Sequence, residues 1–238
     1  MHGTRFLILF PGRTGSTWLV SALASHPEIR AEEEILVRRS AQDQRAIIAE
    51  RFGTPPRAGT AIGFKAKLKD VAELDRLADL VRTAPISIIL MRRRDLLRLA
   101  ISRVTARRLH KRIGRWNLAS GDAKAPAAPI SPQELEEALL HCEATVQELD
   151  RFAGSLQVPR LETEYAELVS TPATSLDRVQ RFLGVVPQTL SSGVRKNTHE
   201  DLRLAVPNFA ELVAHFAGSR FAEAFRSADP TRESAPPG

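Results

Sequence analysis

Apolar and polar positions follow two alternating patterns along the chain. Short, nearly continuous apolar runs are separated by longer stretches in which apolar residues recur with helical spacing. The runs predict buried strands at 5–10, 62–67, 86–91 and 158–163. The helical spacing predicts helices at 16–25, 41–52, 71–81, 131–152 and 171–183, and a basic helix after the third strand. Strands that alternate with helices imply a parallel sheet covered on both faces, a three-layer α/β fold.

The segment between the first strand and the first helix contains the groups that an anion site needs. A strand that leads through a glycine-bearing turn into a helix leaves backbone N–H groups unpaired, with the positive end of the helix dipole behind them. Gly12 and Gly15 let the backbone approach a ligand closely, and Arg13 brings a fixed charge. Hydroxyl groups follow at Thr14, Ser16 and Thr17. The segment therefore predicts a phosphate or sulfate site, and a plain strand–turn–helix junction is the alternative.

The details of this loop discriminate between families of anion-binding protein. A Walker A loop is excluded because Gly15 is followed by Ser16 instead of Lys. The run PGRTGSTWL resembles the 5′-phosphosulfate loop of sulfotransferases that use 3′-phosphoadenosine 5′-phosphosulfate (PAPS). In that family a basic residue precedes a Ser/Thr-Gly-Ser/Thr-Thr run, often followed by Trp, which here is Trp18. The resemblance implies a P-loop-like α/β fold and a donor site formed by residues 13–18.

A second resemblance follows the strand at 86–91, where three arginines lead into the basic helix. In the sulfotransferases an arginine at this point and a serine further along the helix clamp the 3′-phosphate. Arg94 and Ser102 have the family's usual spacing, and Arg92, directly after the strand, is the alternative to Arg94. Most members have proline after the arginine, whereas this chain has RRRDLLRLAIS, which is closer to the bacterial Nod-factor and glycolipid branch.

Three consecutive glutamates follow the first helix and supply a candidate base. Transfer of a sulfonate to an alcohol needs a base within hydrogen-bond reach of the acceptor hydroxyl. The bacterial carbohydrate branch has a glutamate eight residues beyond a Ser-His-Pro histidine, which maps His26 to Glu34. A slip of one or two residues would select Glu33 or Glu32, and for Glu32 we expect a solvated turn. His26 is expected to end the first helix and not to act as the catalyst.

Further matches to the same branch occur in order along the chain. The segment GFKAKL predicts a central strand, from which Lys65 or Lys67 would face the sulfonate. Tyr165 occupies the position of a tyrosine that lies near the adenine in relatives. The resemblance also implies that Arg195 and Lys196, in a basic loop near the C-terminus, contact the 3′-phosphate end of the donor.

Positive charge is concentrated in one part of the chain. The 238 residues include 34 Lys+Arg and 28 Asp+Glu, a net charge of +6. Ten Lys/Arg and one acidic residue fall between 92 and 115, so the rest of the chain is slightly acidic. A nucleic-acid surface would interleave aromatic residues with these charges, but the segment has only Trp116 at its end. The sequence therefore predicts an anionic small-molecule ligand and no nucleic-acid partner.

Composition indicates a single α/β domain over 1–226, followed by a polar, disordered tail over 227–238. We expect no membrane segment and no signal peptide, and hence a cytoplasmic enzyme. Cys142 is the single cysteine, and the histidines lack metal-ligand spacing, so we expect no disulfide and no metal. The sequence allows a homodimer without requiring one.

Together these observations predict a PAPS-dependent sulfotransferase. Glu34 would deprotonate an acceptor hydroxyl on a carbohydrate, glycolipid or other small molecule. Arg13, the groups of 14–17 and Lys65 would stabilise charge on the leaving phosphate and the sulfonyl oxygens. A phosphotransferase is one alternative, and it would need a magnesium-holding acid, for which Asp95 is the nearby candidate. A non-catalytic nucleotide- or polyanion-binding protein is the other.

Overall fold

The computed structural model describes residues 3–116, 126–194 and 201–227. The predicted donor contacts at Arg195 and Lys196, and the predicted tail beyond Ser227, lie outside these residues. The described residues form two compact units, one within 1–93 and 145–194, the other within 94–144 and 195–238. The single domain over 1–226 stays a prediction.

The first unit contains a five-stranded parallel sheet. Its strands are β1 (Thr4–Leu9), β2 (Ile29–Glu32), β3 (Ala61–Ala66), β4 (Ile86–Arg92) and β5 (Arg160–Glu164). They lie in the order β2-β3-β1-β4-β5, and each neighbouring pair is parallel. Leu9 at the end of β1 stands beside Ala66 of β3 and Leu90 of β4, so the carboxyl ends of the central strands are level. The predicted parallel α/β fold is confirmed.

The helices alternate with the strands for most of the chain. In chain order they are α1 (Ser16–Ala24), α2 (Ala41–Phe52), α3 (Leu74–Thr83), α4 (Leu96–Ile113), α5 (Pro132–Leu156), α6 (Tyr165–Ser170), α7 (Pro172–Phe182), α8 (Leu202–Ala205), α9 (Phe209–Phe216) and α10 (Ala222–Ser227). A short 3-10 helix, Leu68–Asp70, follows β3. Within the described residues, no helix is long and apolar enough to cross a membrane.

Successive residues of β1 point to opposite faces of the sheet, and both faces are buried. Phe6 and Ile8 join a core cluster with residues of α1 and α7, on what we term the α1 face. Leu7 and Leu9 join a second cluster with residues of α2, α3 and the end of α5, on what we term the α3 face. All four side chains are fully buried. This alternation determines which polar residues beyond the strand ends can meet.

Strand β2 and helix α6 are among the elements that were not predicted from the sequence. Strand β2 has the sequence IRAE, and only Ile29 is fully buried, because β2 lies at the edge and bonds to β3 alone. An edge strand this short and polar lacks the apolar run that marks a buried one. Helix α6 begins at Tyr165 directly after β5, without a loop to signal its start.

The second unit begins with α4, whose start agrees with the sequence. The Asp95 carboxylate caps the helix by accepting a 2.8 Å hydrogen bond from the backbone N–H of Arg98. The predicted cap of α5 is also present, since the Glu134 N–H donates to the Ser131 hydroxyl at 3.2 Å. Asn208, before α9, exchanges two hydrogen bonds of 2.9–3.0 Å with the backbone of Ile130.

Candidate active site

The loop after β1 turns sharply through three residues in the left-handed conformation. They are Gly12 (φ 98°), Arg13 (φ 56°) and Gly15 (φ 78°). Glycine adopts this conformation at little cost, but a residue with a side chain does not, so the backbone at Arg13 is strained. The turn ends at Ser16, where α1 begins. The predicted strand–loop–helix junction is therefore present, with its arginine in a conformation that needs support.

The first turn of α1 presents backbone donors that the helix itself does not use. Gly15 occupies the N-cap position and has no side chain to cap the helix. The Leu19 N–H closes the first helical bond, to the carbonyl of Gly15 at 2.9 Å. The N–H groups of 16–18 precede that bond and have no acceptor within the helix. The Thr14 hydroxyl beside them is fully buried and has no hydrogen-bond partner among the described residues. An oxyanion at this point could accept hydrogen bonds from the Thr14 hydroxyl and from these N–H groups.

Arg93, directly after β4, contacts this loop. Its Nη1 donates a 3.0 Å hydrogen bond to the backbone carbonyl of Arg13, and its guanidinium lies 4.4 Å from the centre of the Tyr165 ring. Burial and, to a smaller extent, repulsion from Arg93 lower the pKa of Arg13 to about 10, although Tyr165 acts in the opposite direction. Arg13 therefore remains a cation at neutral pH.

Tyr165 packs directly against the glycine that ends the loop. A Cβ atom added to Gly15 would lie 3.0 Å from Cδ2 of the tyrosine ring, closer than ordinary van der Waals contact. Gly15 is therefore required both by its left-handed backbone and by the space that the ring occupies. The structure brings Tyr165 to the loop at 12–15, which we term the anion loop. The role of Tyr165 beside an adenine stays a prediction.

Lys65 joins β3 to the first turn of α1. Its side chain is buried, with 1% of its surface exposed, and its ammonium donates a 2.7 Å hydrogen bond to the Thr17 hydroxyl. The same ammonium forms an ion pair with Glu33 and lies 3.6 Å from a carboxylate oxygen of Glu34. A buried ammonium is stable only when it is paired in this way.

Lys67, two residues further on, lies on the same face of the sheet. It forms an ion pair with Glu34, and its ammonium is 3.7 Å from Asp70. The Phe10 ring lies 5.0 Å from the Lys67 ammonium and 5.4 Å from that of Lys65, within range of a cation–π contact. We term Lys65, Lys67, Glu33 and Glu34 the charge cluster. The sequence left open whether Lys65 or Lys67 faces this side of the sheet, and both do.

Glu32 is not part of the charge cluster. It lies in β2 and pairs with Arg51 at 2.6 Å and with Arg30 at 2.8 Å. Burial raises its pKa, but the hydrogen bonds from Arg51 and Arg30 outweigh burial and leave the pKa of Glu32 below its ordinary value. The expectation that Glu32 is a solvated turn residue is wrong, because an edge strand and two arginines hold it.

His26 has both ring nitrogens occupied by the backbone. Its Nδ1 accepts a 3.0 Å hydrogen bond from the N–H of Glu28, so Nε2 carries the proton and donates to the carbonyl of Val186 at 3.0 Å. The ring is buried, at 2% exposure. These contacts fix the chain where it leaves α1.

Arg92 is bound to carboxylates on the α3 side of the sheet. Its Nε and Nη2 donate to the two carboxylate oxygens of Glu162 at 3.2 Å, and its Nη1 pairs with Asp150 of α5. Burial lowers its pKa, but these hydrogen bonds outweigh burial and raise the pKa of Arg92 above its ordinary value. Arg94 and Ser102, the other predicted contacts to the 3′-phosphate, belong to the second unit, where Ser102 is buried on α4.

Arg93 is the site residue that the sequence reasoning missed. The alternation of β4 contained the signal: Ile89 and Met91 lie in the core of the α1 face, and Arg93 continues that series. Arg92 continues the series of Ile88 and Leu90, which lie on the α3 face. Counting along the strand would have separated two arginines that composition alone treats as equivalent.

Among the described residues, no group of three or more His, Cys, Asp or Glu is placed to hold a metal ion. Asp95, the acid that a phosphotransferase would need for magnesium, is the N-cap of α4 and pairs with Arg98 at 3.0 Å.

Comparison with known proteins gives relatives of similar length. No family model matches the chain. Nodulation protein H of Rhizobium tropici is 28% identical over 245 aligned positions, which cover 94% of this chain and 94% of that protein. Nodulation protein H of Rhizobium meliloti is 26% identical, covering 94% of this chain and 96% of the relative. These similarities support a sulfotransferase family close to the Nod-factor branch. The predicted resemblance to the Nod-factor branch is confirmed.

Solved sulfotransferase structures are similar at lower identity. The sulfotransferase of Alicyclobacillus acidocaldarius is 18% identical, with 98% of this chain and 99% of that chain covered and a TM-score of 0.47. A mouse sulfotransferase in complex with adenosine 3′,5′-bisphosphate (PAP) is 13% identical. The match covers 98% of this chain and 79% of that chain, with a TM-score of 0.46. The fold itself follows from the parallel sheet and its two covered faces.

Proposed function

We propose that the protein transfers a sulfonate group from PAPS to a hydroxyl of a carbohydrate, glycolipid or other small acceptor. One observation carries the proposal. A left-handed loop with the partly buried cation Arg13 leads into a helix without a side-chain cap, and beside it lies the Thr14 hydroxyl, which has no partner among the described residues. Lys65 connects that helix to two carboxylates. An anion site and a candidate base are thus joined by one side chain.

The donor's 5′-phosphosulfate would be held by Arg13 and by the N–H and hydroxyl groups of residues 14–17. Hydrogen bonds from charged or dipole-aligned donors to an oxyanion are short and strong. Tyr165, packed against Gly15, would lie beside the adenine. Arg94 and Ser102 would take the 3′-phosphate, and Arg92, which pairs with Glu162 and Asp150, is the alternative to Arg94. Arg195 and Lys196 would complete that end of the donor.

The transfer itself needs one base and several fixed cations. The acceptor oxygen forms a bond to sulfur as its proton passes to the Glu34 carboxylate. The bond between sulfur and the bridging oxygen breaks, and the electron pair leaves with adenosine 3′,5′-bisphosphate (PAP). Lys65 and Arg13 offset the charge that develops on the bridging and sulfonyl oxygens. Positioning and electrostatics would supply the catalysis.

Contacts in the charge cluster support Glu34 over Glu33 as the base. Glu34 lies near both lysines, and 26% of its side chain is exposed, whereas Glu33 pairs with Lys65 alone and is 54% exposed. A base that works in a desolvated site must be held in place while its proton-accepting oxygen stays accessible. Two lysines orient Glu34 in this way.

The proposal is tested with PAP, the product that shares the donor's phosphates. Calorimetry without magnesium should give saturable binding, and donor labelled with ³⁵S should transfer label to members of a glycan and glycolipid acceptor library. Arg13→Ala should weaken PAP binding, and Arg181→Ala is its control, because Arg181 is exposed and pairs with Asp177 on its own helix. Preference for Mg-ATP over PAP would instead support a phosphotransferase. Binding of heparin or nucleic acid alone would support a non-catalytic polyanion-binding protein.

A further inference from the structure

We propose that Arg93 is a positioning residue that holds the anion loop in its binding conformation. It acts through the backbone of Arg13 on one side and the ring of Tyr165 on the other. The inference deepens the proposed function, on which it depends only for the identity of the anion.

The backbone of the loop requires such a support. Arg13 has a side chain and a φ of 56°, a conformation that L-residues avoid. A strained residue keeps its conformation only when its surroundings impose it. The 3.0 Å hydrogen bond from Arg93 to the Arg13 carbonyl fixes the orientation of the peptide group that follows Arg13. That peptide carries the N–H of Thr14, so Arg93 controls the direction in which this donor points.

The guanidinium of Arg93 is itself fixed. It lies 4.4 Å from the centre of the Tyr165 ring, a distance at which a planar guanidinium stacks on an aromatic ring. The same ring fills the space beside Gly15, 3.0 Å from where a Cβ would lie. Arg93 and Tyr165 thus contact the loop at Arg13 and Gly15, the two residues that flank Thr14. The end of β4 and the start of α6 fix the loop from both sides.

Charge also favours this arrangement as an anion receptor. Two guanidinium groups, Arg13 and Arg93, approach closely enough for Arg93 to disfavour the charged form of Arg13. This repulsion is a cost in the free protein and is relieved when an anion binds between or beside like charges. If the loop keeps its binding conformation despite this repulsion, its affinity for the anion is higher, because little reorganisation is needed on binding.

The test separates positioning from general stability. Trp18 lies in the first turn of α1, and Trp116 is the only other tryptophan, so a Trp116→Phe background makes Trp18 the sole indole reporter of the loop. In this background Arg93→Met should change Trp18 emission in the free protein and weaken PAP binding by about ten- to hundredfold, as expected for loss of a charged hydrogen bond. Arg93→Lys, which keeps the charge without the planar fork, should recover only part of the affinity.

Controls distinguish the possible roles. Arg181→Met removes an exposed arginine on α7 and should change neither emission nor affinity. In an Arg13→Gly background the left-handed backbone costs little, so Arg93→Met should then change Trp18 emission far less than it does with Arg13 present. The donor KM of Arg93→Met should rise while the acceptor KM stays near that of the wild type. A residue that merely stabilised the fold would lower the melting temperature without these selective changes.

Two results would overturn the inference. One is a PAP affinity within twofold of the wild type in Arg93→Met, with unchanged Trp18 emission. The other is an emission change that is equally large in the Arg13→Gly background. If the wild type itself fails to bind PAP, the proposed function fails, and the comparison of Trp18 emission between the two backgrounds still tests the support of Arg13 by Arg93.

Discussion

The ammonium of Lys65 donates a 2.7 Å hydrogen bond to the hydroxyl of Thr17, and this contact joins the two halves of the site. Thr17 lies in the first turn of α1, beside the anion loop, and Lys65 also pairs with Glu33. A cation placed between an oxyanion site and a carboxylate can respond to charge that moves from one to the other. Lys65 is therefore the side chain through which donor and base would influence each other.

Replacing Lys65 tests that link. Lys65→Met fills a similar volume without the charge and should lower turnover by roughly 10²-fold, because it removes electrostatic stabilisation of the transition state. Turnover at saturating donor and acceptor is the measurement, with exposed Lys69→Met as the control. A turnover near that of the wild type in folded Lys65→Met would remove Lys65 from the chemistry.

The base is tested by neutral substitution of each glutamate in the run. Glu34→Gln should lower turnover by roughly 10²–10⁴-fold and leave PAP affinity nearly unchanged, because the carboxylate acts only in the transfer. Glu32→Gln should affect turnover little, because Glu32 is engaged by Arg51 and Arg30. A collapse in Glu33→Gln with near-normal turnover in Glu34→Gln would move the role by one residue.

Thr14 and Thr163 form a matched pair for testing the anion site. Both side chains are fully buried, and both hydroxyls lack a hydrogen-bond partner among the described residues. Replacing an unsatisfied buried hydroxyl by an isosteric methyl removes a desolvation cost of about 1–3 kcal/mol. Thr14→Val and Thr163→Val should therefore both raise the melting temperature of the free protein. Only Thr14→Val should lose PAP affinity, and an equal loss in Thr163→Val would extend the site to β5.

The Glu32 ion pairs predict a specific pH dependence of stability. The pKa of Glu32 is lowered in the folded protein from an ordinary value of 4.5. The carboxylate therefore contributes stability that is present above pH 4.5 and is lost as the pH falls through the lower, folded pKa. In urea unfolding at several pH values, the free energy of unfolding of Glu32→Gln should fall less steeply with decreasing pH than that of the wild type. Glu148→Gln, at an exposed position of α5, should show the wild-type pH dependence. A wild-type pH dependence in Glu32→Gln would contradict the prediction.

The sequence predicted the fold because its information is local. The apolar runs of β1 and β4 are nearly continuous, and the two helices after β4 carry their own caps, Asp95 and Ser131. Strand β2 was not predicted because an edge strand needs no apolar run. It forms by pairing with β3, more than thirty residues away along the chain. The loop at 12–15 was predicted because the conformational freedom of glycine and the charge of arginine are properties of the residues themselves and do not depend on distant residues.

The partners of charged residues were harder to predict. Nothing near Arg92 in the sequence indicates that Asp150 and Glu162 bind it, and nothing near Glu32 indicates Arg51. Such pairs form between elements brought together by the fold, so local spacing does not determine them. By contrast, the alternation of residues along a strand predicts the face of the sheet on which each side chain lies. It places Arg93 and Arg92 on opposite faces.

The placement of both lysines on one face of β3 constrains chain length as strictly as residue identity. Lys65 and Lys67 share a face because they are two residues apart, while Phe64 and Ala66 fill the core on the other side. Inserting or deleting one residue early in β3 would move the two ammonium groups to the apolar core of the α3 face and turn Phe64 to the α1 face. Homologous chains are thus free to vary in the loop before β3, but a functional relative must keep the strand's residue count from Gly63 to Lys67.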